Sequence, residues 1–171
     1  MQFHIYGEFP ITRNGSLVSR TKEAKTQFSA HVEETEPELS EACGCYVFVI
    51  GKHAWYVGMA EKQSFKQECF ALHKLTQYNE ALNKVNGKPS LILVPKLTPS
   101  GRFAKPGKRG HSDIRMLETM LIGSALGRNP RLQNVKGTKL LKEMNVPGFL
   151  NPKPGQARAS VVQAFKLAIG A

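Results

Sequence analysis

The sequence predicts an α+β fold in which helices pack on a small mixed sheet. Three observations predict it. Short runs rich in β-branched and aromatic residues alternate with amphipathic helical stretches. Turn-forming pairs, Asn14-Gly15 and Asn86-Gly87 among them, separate these runs. The resulting order is strand, helix, hairpin, helix, strand, helix, helix, which suits helices layered on a sheet. A chain of 171 residues, 41% hydrophobic, can bury a core as one domain.

The elements follow in order. Gln2–Thr12 alternates apolar and polar residues and reads as a strand. Thr21–Glu34 reads as a helix, with Phe28 and Val32 one turn apart. Residues 33–41 hold five glutamates and a proline and read as an exposed connector, with shielding of a basic site as the alternative. Gly44–Ile50 and Ala54–Gly58, joined by Gly51-Lys52-His53, form a β-hairpin. Ser64-Phe65-Lys66-Gln67 matches a capping box. It opens a helix striped by Phe65, Cys69, Leu72 and Leu75 that runs, with a possible break, to about Val85. Ser90–Val94 is a buried strand. Thr98–Gly110 is a loop carrying Arg102, Lys105, Lys108 and Arg109 and no acid. Ser112 caps a helix to about Leu126. Gly137–Asn145 reads as a short basic helix, Pro147–Pro154 as a loop and Gln156–Ile169 as a last amphipathic helix.

Charge narrows the function. The first 41 residues carry four Lys or Arg against seven Asp or Glu, net −3. The remainder carries twenty against six, net +14. A body this basic attracts a polyanion, most simply nucleic acid. No basic amphipathic helix with exposed bulky apolar residues argues for a membrane surface. No run approaches a membrane span, and the start lacks a secretory pattern. Cys43, Cys45 and Cys69 fit no zinc spacing and are expected as buried free thiols in a reducing, cytoplasmic setting. His4, His31, His53 and His111 show no ligand spacing.

Two positions stand out. On the helix from Ser112, Glu118 falls about 40° from Ile114, inside the apolar arc. A carboxylate there is costly unless paired or bound to a metal, so it is either in a salt bridge, to Arg115 or Lys66, or a metal ligand at a cleft edge. Asp113, at the helix start, is accounted for by the helix dipole. Lys66 and His73 flank one side of the preceding helix's stripe and could face a phosphate; a solvated lysine and a half-buried histidine are the plainer alternative.

Gly44-Cys45-Tyr46 and Tyr56-Val57-Gly58 on a hairpin, a capped helix after them, Glu118 in a later helix, and Pro130-Arg131-Leu132-Gln133-Asn134 together resemble the GIY-YIG nuclease superfamily over about residues 41–136. The resemblance implies a three-stranded antiparallel sheet flanked by helices, here with an added N-terminal strand and helix and a C-terminal helical extension from 137. It implies a metal-dependent endonuclease acting on DNA, with RNA possible. In that scheme Tyr46 deprotonates or orients the attacking water and Tyr56 lies beside it. Gly58 allows close backbone approach. Glu118 holds Mg²⁺ or Mn²⁺, and Asn134 supports the site by hydrogen bonding. Lys66 stands ten residues past Tyr56, where the family usually has arginine; it keeps the charge without the bidentate fork. The alternative is a nucleic-acid-binding module on the same scaffold with weak or no catalysis.

Overall fold

The computed structural model describes residues 1–134, 138–147 and 160–169. The chain divides into two compact units, Met1–Asn134 and Val135–Ala171, where the sequence suggests one. In the first, β1 (Gln2–Phe3), β2 (Tyr6–Pro10), β3 (Arg13–Asn14) and β4 (Leu17–Val18) lead into α1 (Lys22–Thr35). Then come β5 (Gly44–Ile50), β6 (His53–Ala60), α2 (Phe65–Glu68), α3 (Leu72–Leu82), β7 (Pro89–Leu97) and α4 (Ser112–Arg128). The second unit contains α5 (Thr138–Glu143) and α6 (Ser160–Ile169). The expected loop over 147–154 and the first residues of the last helix lie largely outside the described residues. No helix among the described residues is long and apolar enough to cross a membrane.

The fold is α+β around a small antiparallel sheet. β7 lies between β5 and the N-terminal strands β1 and β2, and β6 pairs with the other side of β5. The sheet is therefore wider than three strands. The N-terminal residues are part of it, since Phe9, Ile11, Val18, Phe28 and Val32 are buried in the same cluster as Tyr46 and Phe48. The hairpin turn is two residues, Gly51-Lys52, with Ile50 opposite His53. Gly51 has φ 63°, which glycine adopts without a Cβ penalty.

Strand alternation sends the two faces of β5 to different partners. Tyr46 and Phe48, with Tyr56, Leu91 and Leu93, pack against Phe28, Phe65, Leu75 and Tyr78 of the helices α1 to α3. Phe48 stacks on Tyr78 at 4.2 Å between ring centroids. Cys45 and its neighbours Cys43 and Val94 face the other way, against Ile114, Leu117 and Leu121 of α4. Cys43, Cys45 and Cys69 are all buried and unpaired.

Three helix boundaries differ informatively from expectation. Thr21 caps α1, its hydroxyl accepting from Ala24 N at 3.2 Å. Gln67 Oε1 accepts from Ser64 N at 3.2 Å, but the helix that this starts ends at Glu68; α3 begins afresh at Leu72. α4 has His111 at its N-cap, not Ser112. The glutamate-rich connector is not simply exposed. Leu39 and Ser40 are buried, and Glu33 accepts from Glu38 N at 2.7 Å and from Ser40 N at 2.9 Å.

Asp113 does more than meet the helix dipole. Its carboxylate lies 2.7 Å from Lys96 Nζ, and Lys96 also reaches His111 Nδ1 at 3.2 Å. Burial alone would raise the Asp113 carboxyl; the hydrogen bond and charge of Lys96 outweigh it and hold the group below its ordinary value. A lowered folded-state pKa contributes stability above the unfolded value and loses it as pH falls through the folded value. Acid titration of the wild type is therefore expected to show a loss of stability below about pH 4 that is reduced in Asp113→Asn. Denaturant midpoints measured at pH 7 and pH 3 check this; an unchanged difference between the two proteins would assign no pH dependence to the pair.

Candidate functional site

The two tripeptides do meet. Tyr46 pairs across the hairpin with Gly58, and Phe48 with Tyr56, so both tyrosines project from one sheet face. Their ring centroids are 6.3 Å apart. The Tyr46 ring lies across Gly58: a Cβ built at residue 58 would collide with the Tyr46 ring and hydroxyl. Gly58 thus makes room for a phenol rather than for an approaching backbone or substrate. Gly44 is the backbone-approach glycine, since its Cβ would strike Val94 O and lie 2.8 Å from Pro95 Cα.

The tyrosines differ in environment. Tyr46 is fully buried, and its hydroxyl, like that of Tyr78, has no hydrogen-bond partner of good geometry among the described residues. Desolvation pushes both phenols well above the ordinary range; Tyr78, Cys69, Tyr56 and Glu68 add to the rise at Tyr46, and Cys69, Tyr56 and Glu68 add to it at Tyr78, where the close Tyr46 hydroxyl offsets part of the rise. A phenol so placed stays neutral and meets no solvent. The water-activating role that the resemblance gives Tyr46 does not suit it. Tyr56 lies at the margin of the core, 9% exposed. Its hydroxyl accepts from Lys74 Nζ at 2.9 Å, and Lys74 also lies 5.3 Å from the centroid of its ring. Lys74 in turn is 3.2 Å from Glu68 Oε1. Burial would depress the Lys74 ammonium, but the hydrogen bond and charge of Tyr56, followed by Glu68, raise it. The cation on Tyr56 is therefore Lys74, from α3, not Lys66.

Lys66 is exposed on α2 and 3.5 Å from Glu41. It lines a surface groove with Lys22 and Lys25, next to α1. His73 is exposed too, 3.8 Å from Glu68. The α2–α3 break resets the helical phase, so positions predicted on one continuous stripe separate.

Glu118 is half-buried on α4, which docks on the Cys45 face of the sheet through Ile114, Leu117 and Leu121. Burial first, then the charges of Glu118 and Asp113, push the Cys45 thiol up to about 12. Neither salt-bridge partner expected for Glu118 is idle: Arg115 is 2.6 Å from Glu61, and Lys66 pairs with Glu41. The structure does not bring Glu118 to Tyr46 and Tyr56, because the sheet lies between them. A single carboxylate suits a hydrated Mg²⁺, which keeps most of its waters. Among the described residues no group of three His, Cys, Asp or Glu gathers, so Glu118 would be the one protein carboxylate on such an ion.

Asn134 works on the sheet edge. Its Oδ1 accepts from Val57 N at 2.9 Å and its Nδ2 donates to Val57 O at 2.6 Å. Gln133 N donates to Trp55 O at 2.8 Å, Asn129 Nδ2 donates to Ala54 O at 2.9 Å, and Arg131 lies over Trp55 at 5.1 Å. Residues 129–134 therefore cover the open edge of β6 in place of another strand.

The basic loop is held at both ends. Ala104 N donates to Lys96 O, Gly107 N to Glu61 O, and Glu61 also accepts from His111 N at 2.9 Å. Arg102, Lys108 and Arg109 are exposed on it; Lys105 is 3.2 Å from Glu38. No family model, curated protein or solved structure matches this chain. The geometry of the site and the charge of the chain are what bear on function.

Proposed function

We propose that this chain is a GIY-YIG-like protein that acts on nucleic acid as an endonuclease, cleaving phosphodiester bonds in DNA. The observation that carries the reading is the Tyr56 hydroxyl held at 2.9 Å by Lys74, beside a Tyr46 ring that is accommodated only because residue 58 is glycine. An unperturbed phenol titrates near pH 10, so it needs adjacent positive charge to take a proton at neutral pH. Lys74 is the cation beside the Tyr56 hydroxyl, and the same ammonium can face a phosphoryl oxygen. Tyr56 accepts the proton of the attacking water as the bond from phosphorus to the leaving oxygen breaks, the leaving oxygen takes its proton from solvent, Lys74 faces the phosphate, and Glu68 orients Lys74. Tyr46 packs and positions Tyr56. Arg102, Lys108 and Arg109 bind the phosphate backbone. Glu118 would hold a hydrated Mg²⁺ or Mn²⁺, which would supply charge neutralisation; it lies on the Cys45 face of the sheet, so no step at Tyr56 is routed through the ion.

That same position of Glu118 favours a second reading, a module that binds nucleic acid without cutting it. The two separate in a nicking assay with Mg²⁺ or Mn²⁺ over linear, branched, flapped and single-stranded DNA, run beside a binding titration. Under the endonuclease reading Tyr56→Phe is expected to slow cleavage about 10²- to 10⁴-fold with binding unchanged, and Lys74→Met to slow it as well. Wild-type protein that binds every substrate and cuts none leaves the binding module. Absence of binding at low salt removes both.

A further inference from the structure

Resting on the reading that the chain acts on nucleic acid, we propose that the cleft between the N-terminal strands, the turn at 36–38 and the basic loop is a subsite for one unstacked nucleobase. Its volume is about 290 Å³, at the lower end of small-ligand clefts, which run from about 300 Å³ upward. His4, Tyr6, Glu36, Glu38, Arg102 and Phe103 are among its lining residues.

Three features match a base with its phosphate. The first is an aromatic wall. Tyr6 and Phe103 meet edge to face at 5.9 Å, with His4 tilted against Tyr6 at 6.4 Å. Tyr6 and Phe103 are only half-buried, so π-surface remains open to a planar ligand. The second is Arg102. It is exposed, and it belongs to a loop that carries Lys105, Lys108 and Arg109 and no acid, which is the arrangement that holds a phosphate. The third is the pair Glu36 and Glu38. Carboxylates in a cleft repel phosphate but accept hydrogen bonds from the exocyclic amino group of a base. Together they orient the ligand, base inward and phosphate toward Arg102.

The cleft is organised before any ligand arrives. Phe103 bridges Leu97 at the end of β7, Thr98 N donates to Arg102 O at 2.8 Å, and Glu38 is tied to Lys105. A paired base in a duplex cannot enter such a cleft. The substrate class is nucleic acid with an unpaired base: a single strand, a loop, a flap or a flipped nucleotide.

The test titrates the full chain at low salt with three oligonucleotides of one length: a single strand, the same strand made abasic throughout, and a blunt duplex. The base-bearing strand is expected to bind about tenfold tighter than the abasic one, in keeping with the stacking of a single base. A 2-aminopurine in that strand is expected to be quenched on binding. Phe103→Ala is expected to remove the preference and Phe103→Trp to retain it; the 2-aminopurine signal on wild-type protein serves if Phe103→Ala does not fold. Equal affinity for base-bearing and abasic strands, with 2-aminopurine unquenched, overturns the subsite and leaves the nucleic-acid reading standing. Failure to bind any of the three overturns both.

Discussion

Gly58→Ala is expected to be among the most damaging single substitutions in the hairpin. The added methyl would occupy the space of the Tyr46 ring and hydroxyl. Tyr46 cannot swing away, because it is fully buried among Phe48, Phe65, Leu93 and Tyr78 in the same cluster. Overpacking of this kind costs roughly 1–3 kcal/mol, and the upper part of that range applies where the obstructing ring has nowhere to go. The backbone at Gly58 is ordinary extended strand, paired with Tyr46 in register, so conformational freedom is not the issue; space is. A double-mutant cycle isolates the cause. Tyr46→Leu shortens the obstructing side chain and costs stability by itself, yet in its presence Gly58→Ala is expected to cost much less. Urea unfolding of the four proteins measures the coupling. Additive effects, with no recovery in the double mutant, would show that Gly58 is needed for something other than the Tyr46 phenol.

The pairing of Tyr46 with Gly58 shows what a sequence can carry. Two short β-rich runs with a glycine-led turn between them define a hairpin. The two-residue turn sets Ile50 opposite His53, and a bulge between Phe48 and Val49 then shifts the register by one residue and places Tyr46 opposite Gly58. The hairpin is legible locally; the bulge that brings Gly58 under the Tyr46 ring is not set by the turn. The cation on Tyr56 is not local. Lys66 lies at the expected spacing, but the helix stops at Glu68 and restarts at Leu72, so the helical phase cannot be carried across the gap. One signal was available. Lys74 and Tyr78 are one turn apart on α3, and the side of the helix that buries Tyr78 also brings Lys74 to the core margin.

Glu118 shows the other limit. Its place on the apolar face of α4 is readable from helical periodicity, and the residue is indeed half-buried. Which face of the sheet receives α4 is a tertiary choice. Cys45 and Tyr46 are adjacent in sequence and point to opposite faces, and α4 takes the Cys45 side through Ile114, Leu117 and Leu121. The acidic connector divides in the same way. Five glutamates in nine residues predict exposure, but Glu33 turns back to hold two backbone amides, which lets Leu39 and Ser40 enter the interior. Composition sees the charges and not the hydrogen bonds they satisfy.

Asn134 gives the second large expected effect, and it follows from the open edge of β6. A strand edge presents backbone donors and acceptors that water or another chain must satisfy. At Val57 both groups are buried, and one side chain answers both: Oδ1 takes the amide and Nδ2 supplies the carbonyl. Asn134→Ala removes both partners at once. Each orphaned buried group costs about 1–3 kcal/mol, so a loss of roughly 2–6 kcal/mol is expected, enough to lower Tm by about 5–20 °C. Asn134→Asp sharpens the argument because it keeps size and shape. At neutral pH the carboxylate can still accept from Val57 N, but it has no hydrogen to offer Val57 O and places a negative charge against that carbonyl. It is expected to be no less damaging than alanine. Thermal unfolding of the three proteins, with hydrogen exchange at the Val57 amide, decides the matter. A variant as stable as wild type, with Val57 still protected, would mean that the edge is satisfied in another way. The expected outcome instead makes Asn134 a structural residue whose effect on any nuclease activity passes through the strand that carries Tyr56.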